Sequence, residues 1–323
     1  MAQQRTLGAE GPAVGPIGLG CMGMNWVYTS QLQSTEESIG AIRHAIDLGI
    51  TLLDTADLYG PFTNEELLGE ALRGGLREQV VLATKGGLKA GPESHLGSVQ
   101  VSADGRPEHL RAAVEGSLRR LGTDRIDVYY LHRVDPRVPL VESWGALAEL
   151  QQAGKIVQLG LCEVSAGQLD AAHAIAPVGA VQSELSVWSR DPLAEVLPWC
   201  KANGAAFVPF SPLGRGFLAG RFDGENAPDQ DDFRARLPRF QEEARAQNQR
   251  ISDGIQEVAT RHGATPAQVA LAWTLAQGEH VVPIPGSTRR LHIEQNAAAA
   301  EVLLSADDLA ALDSLPAPVG TRY

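Results

Sequence analysis

Cysteine is scarce: Cys21, Cys162 and Cys200 are the three in the chain. The number is odd and no C-x-x-C pair occurs. A disulfide framework or a zinc knuckle is therefore excluded, and the pattern fits reduced thiols in a cytoplasmic protein. Positive charge is also in short supply. Lys and Arg total 27 against 39 Asp and Glu, a formal net charge of −12. That deficit argues against binding nucleic acid, whose phosphates need basic patches, and against docking on an anionic membrane. Long hydrophobic runs are missing too. No stretch approaches about 18 uninterrupted apolar residues, so no transmembrane helix is expected. The opening MAQQRTLGAEGP lacks the apolar core of a signal peptide.

What remains is a 323-residue chain, 44% hydrophobic, with enough apolar material for a large core. Short β-branched or apolar runs alternate with longer stretches of helical period. The runs predict strands at 15–20, 51–54, 80–85, 126–132, 156–162, 180–183, 205–210 and 281–284. A helix is expected from Thr35, with Ile39, Ile42, Ala45 and Ile46 on one face. Ser34 and Glu37 have the spacing of a capping box at its start. Further helices are expected at 64–72, 107–121, 140–153, 165–175, 194–203 and 289–303. Glycines at 49, 122, 154 and 204 mark helix ends. Eight strand–helix units imply an α/β protein built as a single (β/α)8 TIM barrel over residues 1–323; a doubly wound sheet is the competing arrangement. The polar, acidic segment 222–238 reads as a surface loop of lid length, and the tail beyond Pro316 as irregular.

Gly18, Gly20 and Gly23 spell G-x-G-x-x-G, the form of a dinucleotide fingerprint. That motif works only where its glycines open a helix whose N-terminus holds pyrophosphate. Here MNWVYTSQ follows, with no helical period before the Ser34 cap. A tight strand-to-loop turn is the better reading.

Barrel enzymes place their chemistry at the C-terminal ends of the strands. Strand two ends in Asp54, with Tyr59 in the loop beyond; strand three ends in Lys85, strand four in His132. Each alone has a plainer explanation: an ion pair at the barrel mouth, a packed tyrosine, a satisfied core histidine. The four at adjacent strand ends are harder to explain that way. Together they suit proton delivery to a carbonyl oxygen. An ammonium next to a phenol favours its ionised form and lowers its pKa from about 10. Asp54 would hold Lys85 in place, and His132 would orient the carbonyl and steady a developing oxyanion. No H-x-H or HExxH metal pattern occurs, which disfavours metal hydrolysis, and the reducing electrons must come from a cofactor.

DTADLYG, ATKGG, LH and SPLGRG in this order resemble the aldo-keto reductases. The opening GLGCMGM is most similar to the bacterial and plant branch of pyridoxal and perakine reductases. The resemblance runs from about Val14 to Asn296. It implies a (β/α)8 barrel and NADPH-dependent reduction of a small-molecule aldehyde or ketone. Asp54, Tyr59, Lys85 and His132 become a catalytic tetrad with Tyr59 as proton donor, and substrate would meet Trp26, Tyr59 and His132. Apart from the resemblance, a barrel predicts a phosphate site after strands seven and eight. FSPLGRG follows strand seven, with Phe210, Ser211, Leu213, Gly214, Arg215 and Gly216. IPGSTRR follows strand eight, with Gly286, Ser287, Thr288, Arg289 and Arg290. Glycines allow close backbone approach to a pyrophosphate, with Arg215 and the second loop's arginines to pair with phosphate. By resemblance, Gly23, Met24 and Asp54 also border the dinucleotide. Phe210 stacks on nicotinamide, Gln182 and Cys162 flank the carboxamide beside Glu163, and Gln295 and Asn296 contact adenine. Ser287, Thr288 and Arg289 read the 2′-phosphate. His292 replaces a frequent arginine, which leaves NADH possible.

Met24, Trp26, Tyr28, Leu58 and Trp188 are candidates for an apolar substrate wall, or for barrel caps; neutral or aromatic carbonyl compounds would suit such a wall. Two other functions stand beside carbonyl reduction. One is a nicotinamide-binding regulatory barrel of the ion-channel-accessory kind, against which the absence of a long N-terminal extension counts. The other is a metal-assisted hydrolase using Asp54, Asp57, His132 and Glu163, which leaves Lys85 and both phosphate loops unexplained.

Overall fold

A computed structural model describes residues 4–28, 34–91, 100–223 and 226–323, and in it seven of the eight apolar runs are strands of one parallel sheet. They are β1 (Leu19–Gly20), β2 (Leu52–Asp54), β3 (Val81–Gly86), β4 (Ile126–Leu131), β5 (Ile156–Cys162), β6 (Ala180–Glu184) and β7 (Ala206–Phe210), each bonded to the next. The eighth run, 281–284, closes the barrel together with the two residues after it, without forming a regular ladder. Val282 and Ile284 donate backbone N–H groups to Phe207 and Pro209 on one side; Pro283 and Pro285 accept from Gly18 and Gly20 on the other. A proline has no N–H to return, so the seam to β1 is bonded in one direction only. This is why the expected strand at 281–284 appears only as isolated bridges, Phe207 to Val281 and Gly20 to Gly286.

Side chains alternate across each strand. Leu52, Val81, Ala83, Val128, Tyr130, Ala180, Ala206, Val208, Val282 and Ile284 fill the barrel interior in one cluster with Leu7 and Val14. The last two belong to a short N-terminal hairpin (Arg5–Thr6 with Ala13–Val14). Residues of opposite parity, including Leu53, Leu82, Tyr129, Leu159, Val181 and Phe207, join the larger cluster formed with the helices. Two-residue steps along the inward face lead from this packed interior to Asp54 on β2, Lys85 on β3, Cys162 on β5, Gln182 on β6 and Phe210 on β7. His132 follows β4 in the same register. Strand periodicity alone thus collects these groups at one end.

The helices are α1 (Thr35–Asp47), α2 (Thr63–Ala71), α3 (Pro107–Leu121), α4 (Leu140–Gln152), α5 (Ala166–His173), α6 (Val196–Ala202), α7 (Glu242–His262), α8 (Pro266–Leu275), α9 (Arg290–Ala298) and α10 (Ala306–Asp313). The Ser34–Glu37 capping box forms as its spacing predicts, and Gly122 ends α3 in the left-handed conformation. No helix begins at Gly18–Gly23: a three-residue 3-10 turn follows β1, and α1 starts at Thr35. Gly20 serves a close approach, since a Cβ there would stand 2.8 Å from the Ile284 carbonyl oxygen. The connection from β7 to the eighth run holds α7 and α8, which the sequence reading left without helices. Ala244, Asn248, Ile251, Ser252, Ile255, Val258 and Ala259 line the buried face of α7. Its first half, EEARAQNQR, carries no large apolar residue, so the period is hidden there. The 222–238 segment contains 3-10 turns near its end, with 224–225 outside the described residues.

The first turn of α2 fixes the loop that follows β2. Asn64 accepts from Thr55 Oγ1 at 2.6 Å and donates to the Cys21 carbonyl at 3.0 Å. Glu65, wholly buried, accepts from Thr84 Oγ1 at 2.6 Å and from Arg120 at 2.7 Å. Removing one partner of such a buried pair leaves the other uncompensated. Glu65→Ala is expected to lower unfolding stability by about 3 kcal/mol. Urea denaturation checks this; an unchanged midpoint would show that the pair does not stabilise the fold.

Candidate active site

Lys85 is 0% exposed. Its ammonium donates to Asp54 Oδ1 at 2.5 Å, to the Thr55 carbonyl at 2.9 Å and to Tyr59 Oη at 3.3 Å. An ammonium has three N–H bonds, and all three have acceptors here. Burial is the largest influence and works against its charge, but Asp54, Tyr59 and Cys162 together outweigh it and push the Lys85 pKa above its ordinary value. Burial raises the Asp54 carboxyl, opposed by Lys85 and by Gln182, whose amide donates to Oδ2 at 2.8 Å.

Tyr59 lies where the loop after β2 bends back over the barrel mouth, its ring 5.4 Å from Trp26 and 5.9 Å from His132. Burial pushes its phenol up to about 12, with Lys85 pulling the other way. The lowering expected from the ammonium is present and is outweighed by desolvation. The phenol therefore keeps its proton at neutral pH. Because Lys85 donates to the phenol oxygen, the Tyr59 hydrogen is available for another acceptor. His132 is pushed well below the usual histidine range by burial, then by Lys85 and Arg133. It is a neutral ring with one N–H to donate, and its Nδ1 has no partner among the described residues. The structure thus brings Asp54, Tyr59, Lys85 and His132 together.

Asp57 stands behind this group. Burial, reinforced by Glu65, pushes its carboxyl up to about 8, so it carries a proton at neutral pH. Glu163 accepts from the Glu184 backbone N–H at 2.8 Å and pairs with Arg322. With Asp54 held by Lys85 and Gln182, two of the four residues of the hydrolase reading, Asp54 and Glu163, are tied to different partners. Among the described residues, no group of three or more His, Cys, Asp or Glu is placed to hold a metal ion.

Both glycine-rich loops flank the same end. After β7, Ser211, Gly214, Arg215 and Gly216 all have positive φ, giving a tight turn beside half-buried Phe210 and Leu213. A Cβ on Gly214 would lie 2.7 Å from the Trp188 ring. Trp188 therefore packs beneath this turn, stacked on Phe217 at 5.0 Å. Leu58 packs with Ala56, Leu88 and Ala90. The Arg215 guanidinium does not reach out for phosphate: it pairs with buried Glu184 at 3.2 Å and lies over the Tyr323 ring. The C-terminal tail, expected to be irregular, is docked here through Arg322 and through Asn248, which binds the Val319 backbone at 2.7 Å. Arg234 of the 222–238 segment donates to the Arg215 carbonyl at 3.0 Å and faces the Tyr28 ring.

After the eighth run, Gly286 adjoins Gly20, and Ser287 Oγ accepts from the Arg289 N–H at 3.2 Å at the start of α9. Asn296 is buried and Gln295 half-buried on that helix. Arg290 turns away, toward Gly40 of α1. Arg221 takes a place beside Arg289 and His292: after burial, repulsion from Arg289 and Arg221 holds the His292 imidazole low. Such crowded cations suit an anionic phosphate. Sequence reasoning missed Arg221; its position shortly after the FSPLGRG glycines was the available signal. Elsewhere, Gly23 and buried Met24 form the turn after β1, and Cys162 is a buried thiol at the end of β5, pushed up to about 12 by burial. Together the donors, glycine turns and cations fit a phosphorylated dinucleotide.

A sequence model of the Aldo/keto reductase family matches residues 16–317. "Probable aldo-keto reductase 1" of Glycine max is 44% identical over 303 residues, covering 94% of this chain and 86% of that protein. The glycerol dehydrogenase of Gluconobacter oxydans superposes with a TM-score of 0.85 at 28% identity, over 96% of this chain and 94% of that one. An aldo/keto reductase from Klebsiella pneumoniae, solved with NADP and acetate, superposes at 0.73 with 30% identity, over 99% of each.

The crowding has a measurable consequence. Arg221→Ala is expected to raise the His292 pKa, because it removes a repulsive charge. Proton NMR titration of the imidazole checks this, and an unmoved pKa would separate the two side chains.

Proposed function

The chain belongs to the aldo/keto reductase family, and we propose that its chemistry runs through a proton held on Tyr59. It is an NADPH-dependent oxidoreductase that reduces aldehydes or ketones to alcohols. The observation that carries the residue assignment is the buried contact between the Lys85 ammonium and Tyr59 Oη, with Asp54 behind it. Bound NADPH supplies the hydride. The protein supplies the proton and the field. Tyr59 gives its hydrogen to the carbonyl oxygen, and Lys85 stabilises the phenolate left behind. Neutral His132 donates a hydrogen bond that orients the carbonyl. Trp26 beside Tyr59 supports neutral or aromatic carbonyl substrates.

The dinucleotide is assigned to the two glycine loops, the end of β6 and the start of α9. Ser287, Thr288 and Arg289 take the 2′-phosphate, with Arg221 added to that set. Gln295 and Asn296 take adenine, and Gln182, Cys162 and Phe210 the nicotinamide. In the β7 loop, Ser211, Leu213, Gly214 and Gly216 give the pyrophosphate close backbone approach, and Arg215 contributes backbone because its guanidinium is paired. Gly286, Gly23 and Met24 complete the border. The 222–238 segment is read as a lid, joined to this turn through Arg234. GLGCMGM supports the pyridoxal and perakine reductase-like branch. A family match over 16–317 supports one barrel domain across 1–323. Three buried free cysteines support a cytoplasmic setting, and no described helix is long and apolar enough to cross a membrane.

Tyr59→Phe keeps ring and packing and removes only the transferable proton. Carbonyl reduction is expected to fall by about 10²–10⁴-fold with NADPH affinity unchanged. Nicotinamide absorbance with an aldehyde, paired with a fluorescence binding titration, checks this; a near-native rate would remove Tyr59 from its role. Arg289→Ala is expected to raise the Kd for NADPH much more than for NADH. Equal changes in the two dissociation constants would refute the 2′-phosphate assignment.

A further inference from the structure

We propose that Gln182 is a positioning residue for proton delivery, holding the Asp54 carboxylate across the barrel so that its other oxygen faces Lys85. The proposal rests on the reading of Tyr59, Lys85 and Asp54 as the proton-delivering group.

Asp54 ends β2 and Gln182 stands on β6, on opposite walls of an eight-stave barrel. Their hydrogen bond, Nε2 to Oδ2 at 2.8 Å, spans the interior above the packed layer formed by Leu52, Ala180 and their neighbours. Both residues are 3% exposed. Lys85 holds Oδ1 at 2.5 Å from the adjacent strand. The carboxylate is therefore gripped from two directions, one donor to each oxygen, and its plane is fixed. The other groups around Asp54 do not replace Gln182. Cys21, after β1, directs its thiol to the Leu19 carbonyl. Cys162 on β5 is a weak thiol donor, the Tyr130 phenol on β4 lies by the Gln182 amide, and the Tyr59 oxygen accepts from Lys85. Lys85 is the one cation among them.

Loss of the Gln182 donor would leave Oδ2 buried with its charge undersatisfied. The carboxyl would be free to rotate, and the ammonium that faces Tyr59 would lose its fixed anchor. The role is compatible with contact to the nicotinamide carboxamide. A glutamine side chain has two N–H groups and a carbonyl oxygen, so one N–H can hold Asp54 while the rest meets the cofactor. The amide thereby links cofactor recognition to the geometry of the acid.

The test compares wild type with Gln182→Met, which keeps length and removes the donor, and Gln182→Glu, which sets a second carboxyl against Asp54. Asp54 is titrated by carboxyl carbon-13 NMR in cofactor-free protein, its signal assigned by loss in Asp54→Asn. A charge-assisted hydrogen bond corresponds to an upward shift of about one to two pH units in Gln182→Met. Asp54 would then lose its charge at higher pH, and the acid limb of kcat for reduction would move up by the same amount. Gln182→Glu is expected to raise Asp54 as well, through like-charge repulsion, and Gln182→Leu, which also lacks a donor, decides the matter if Gln182→Met fails to fold. An unmoved Asp54 titration with only weaker NADPH binding would overturn the proposal and leave Gln182 a cofactor contact alone. Wild-type protein that reduces no carbonyl with NADPH would instead overturn the underlying reading, and it would do so whatever the Asp54 titration shows.

Discussion

A lysine ammonium is expensive to bury, and the site is organised around meeting that cost. Lys85 sits inside the barrel with no exposure, and three acceptors take its three N–H bonds: a carboxylate, a backbone carbonyl and a phenol. The carboxylate needs satisfying in turn, which brings in Gln182 from the far wall. Each group has a partner that its own strand does not supply. The cation therefore stays charged in a low-dielectric place, where its effect on the neighbouring phenol is much stronger than in water. Burial and the ammonium pull Tyr59 in opposite directions, and burial wins in the cofactor-free protein. The result is an acid that holds its proton until a phenolate can form directly beside Lys85.

The rest of the fold keeps this cluster in place. Asn64 and Glu65, at the first turn of α2, tie the turn after β1, the Tyr59 loop and β3 together. Pro283 and Pro285 leave the closing seam bonded one way only, next to the loop that carries Gly286 and Ser287. On the other side, Glu184 gathers Arg215, Ser189 and the C-terminal Arg322, so the turn after β7 and the last residues of the chain form one ionic cluster. On top of burial, Arg289 and Arg221 crowd His292 and hold its imidazole neutral, and such a pair of cations suits an anion.

Much of this was legible in the sequence because it follows period-two alternation. Once DTADLYG, ATKGG and LH are placed at strand ends, Asp54, Lys85 and His132 must share the inward face, and Tyr59 lies five residues beyond Asp54. Other features were hidden for physical reasons. The polar start of α7 conceals a helix whose large apolar residues begin only at Ile251. Trp188 looks like a pocket aromatic but fills the space under a glycine turn. Arg215 looks like a phosphate ligand until Glu184, thirty-one residues earlier, is seen beside it. Arg322 gives no hint that it returns to Glu163. These are long-range pairings between surface-type residues, and no local pattern specifies them. The balance of forces on Tyr59 is likewise invisible in sequence: the neighbouring cation can be inferred from the strand order, but the depth of burial that outweighs it cannot.

The most direct test of the whole account is the state of the Tyr59 phenol itself. An ultraviolet phenolate difference titration of cofactor-free wild-type protein against Tyr59→Phe isolates this one group. The account predicts no phenolate from Tyr59 at neutral pH, and none until well above the ordinary tyrosine value of about 10. A phenolate signal already present near neutrality would mean that Tyr59 has no proton to give.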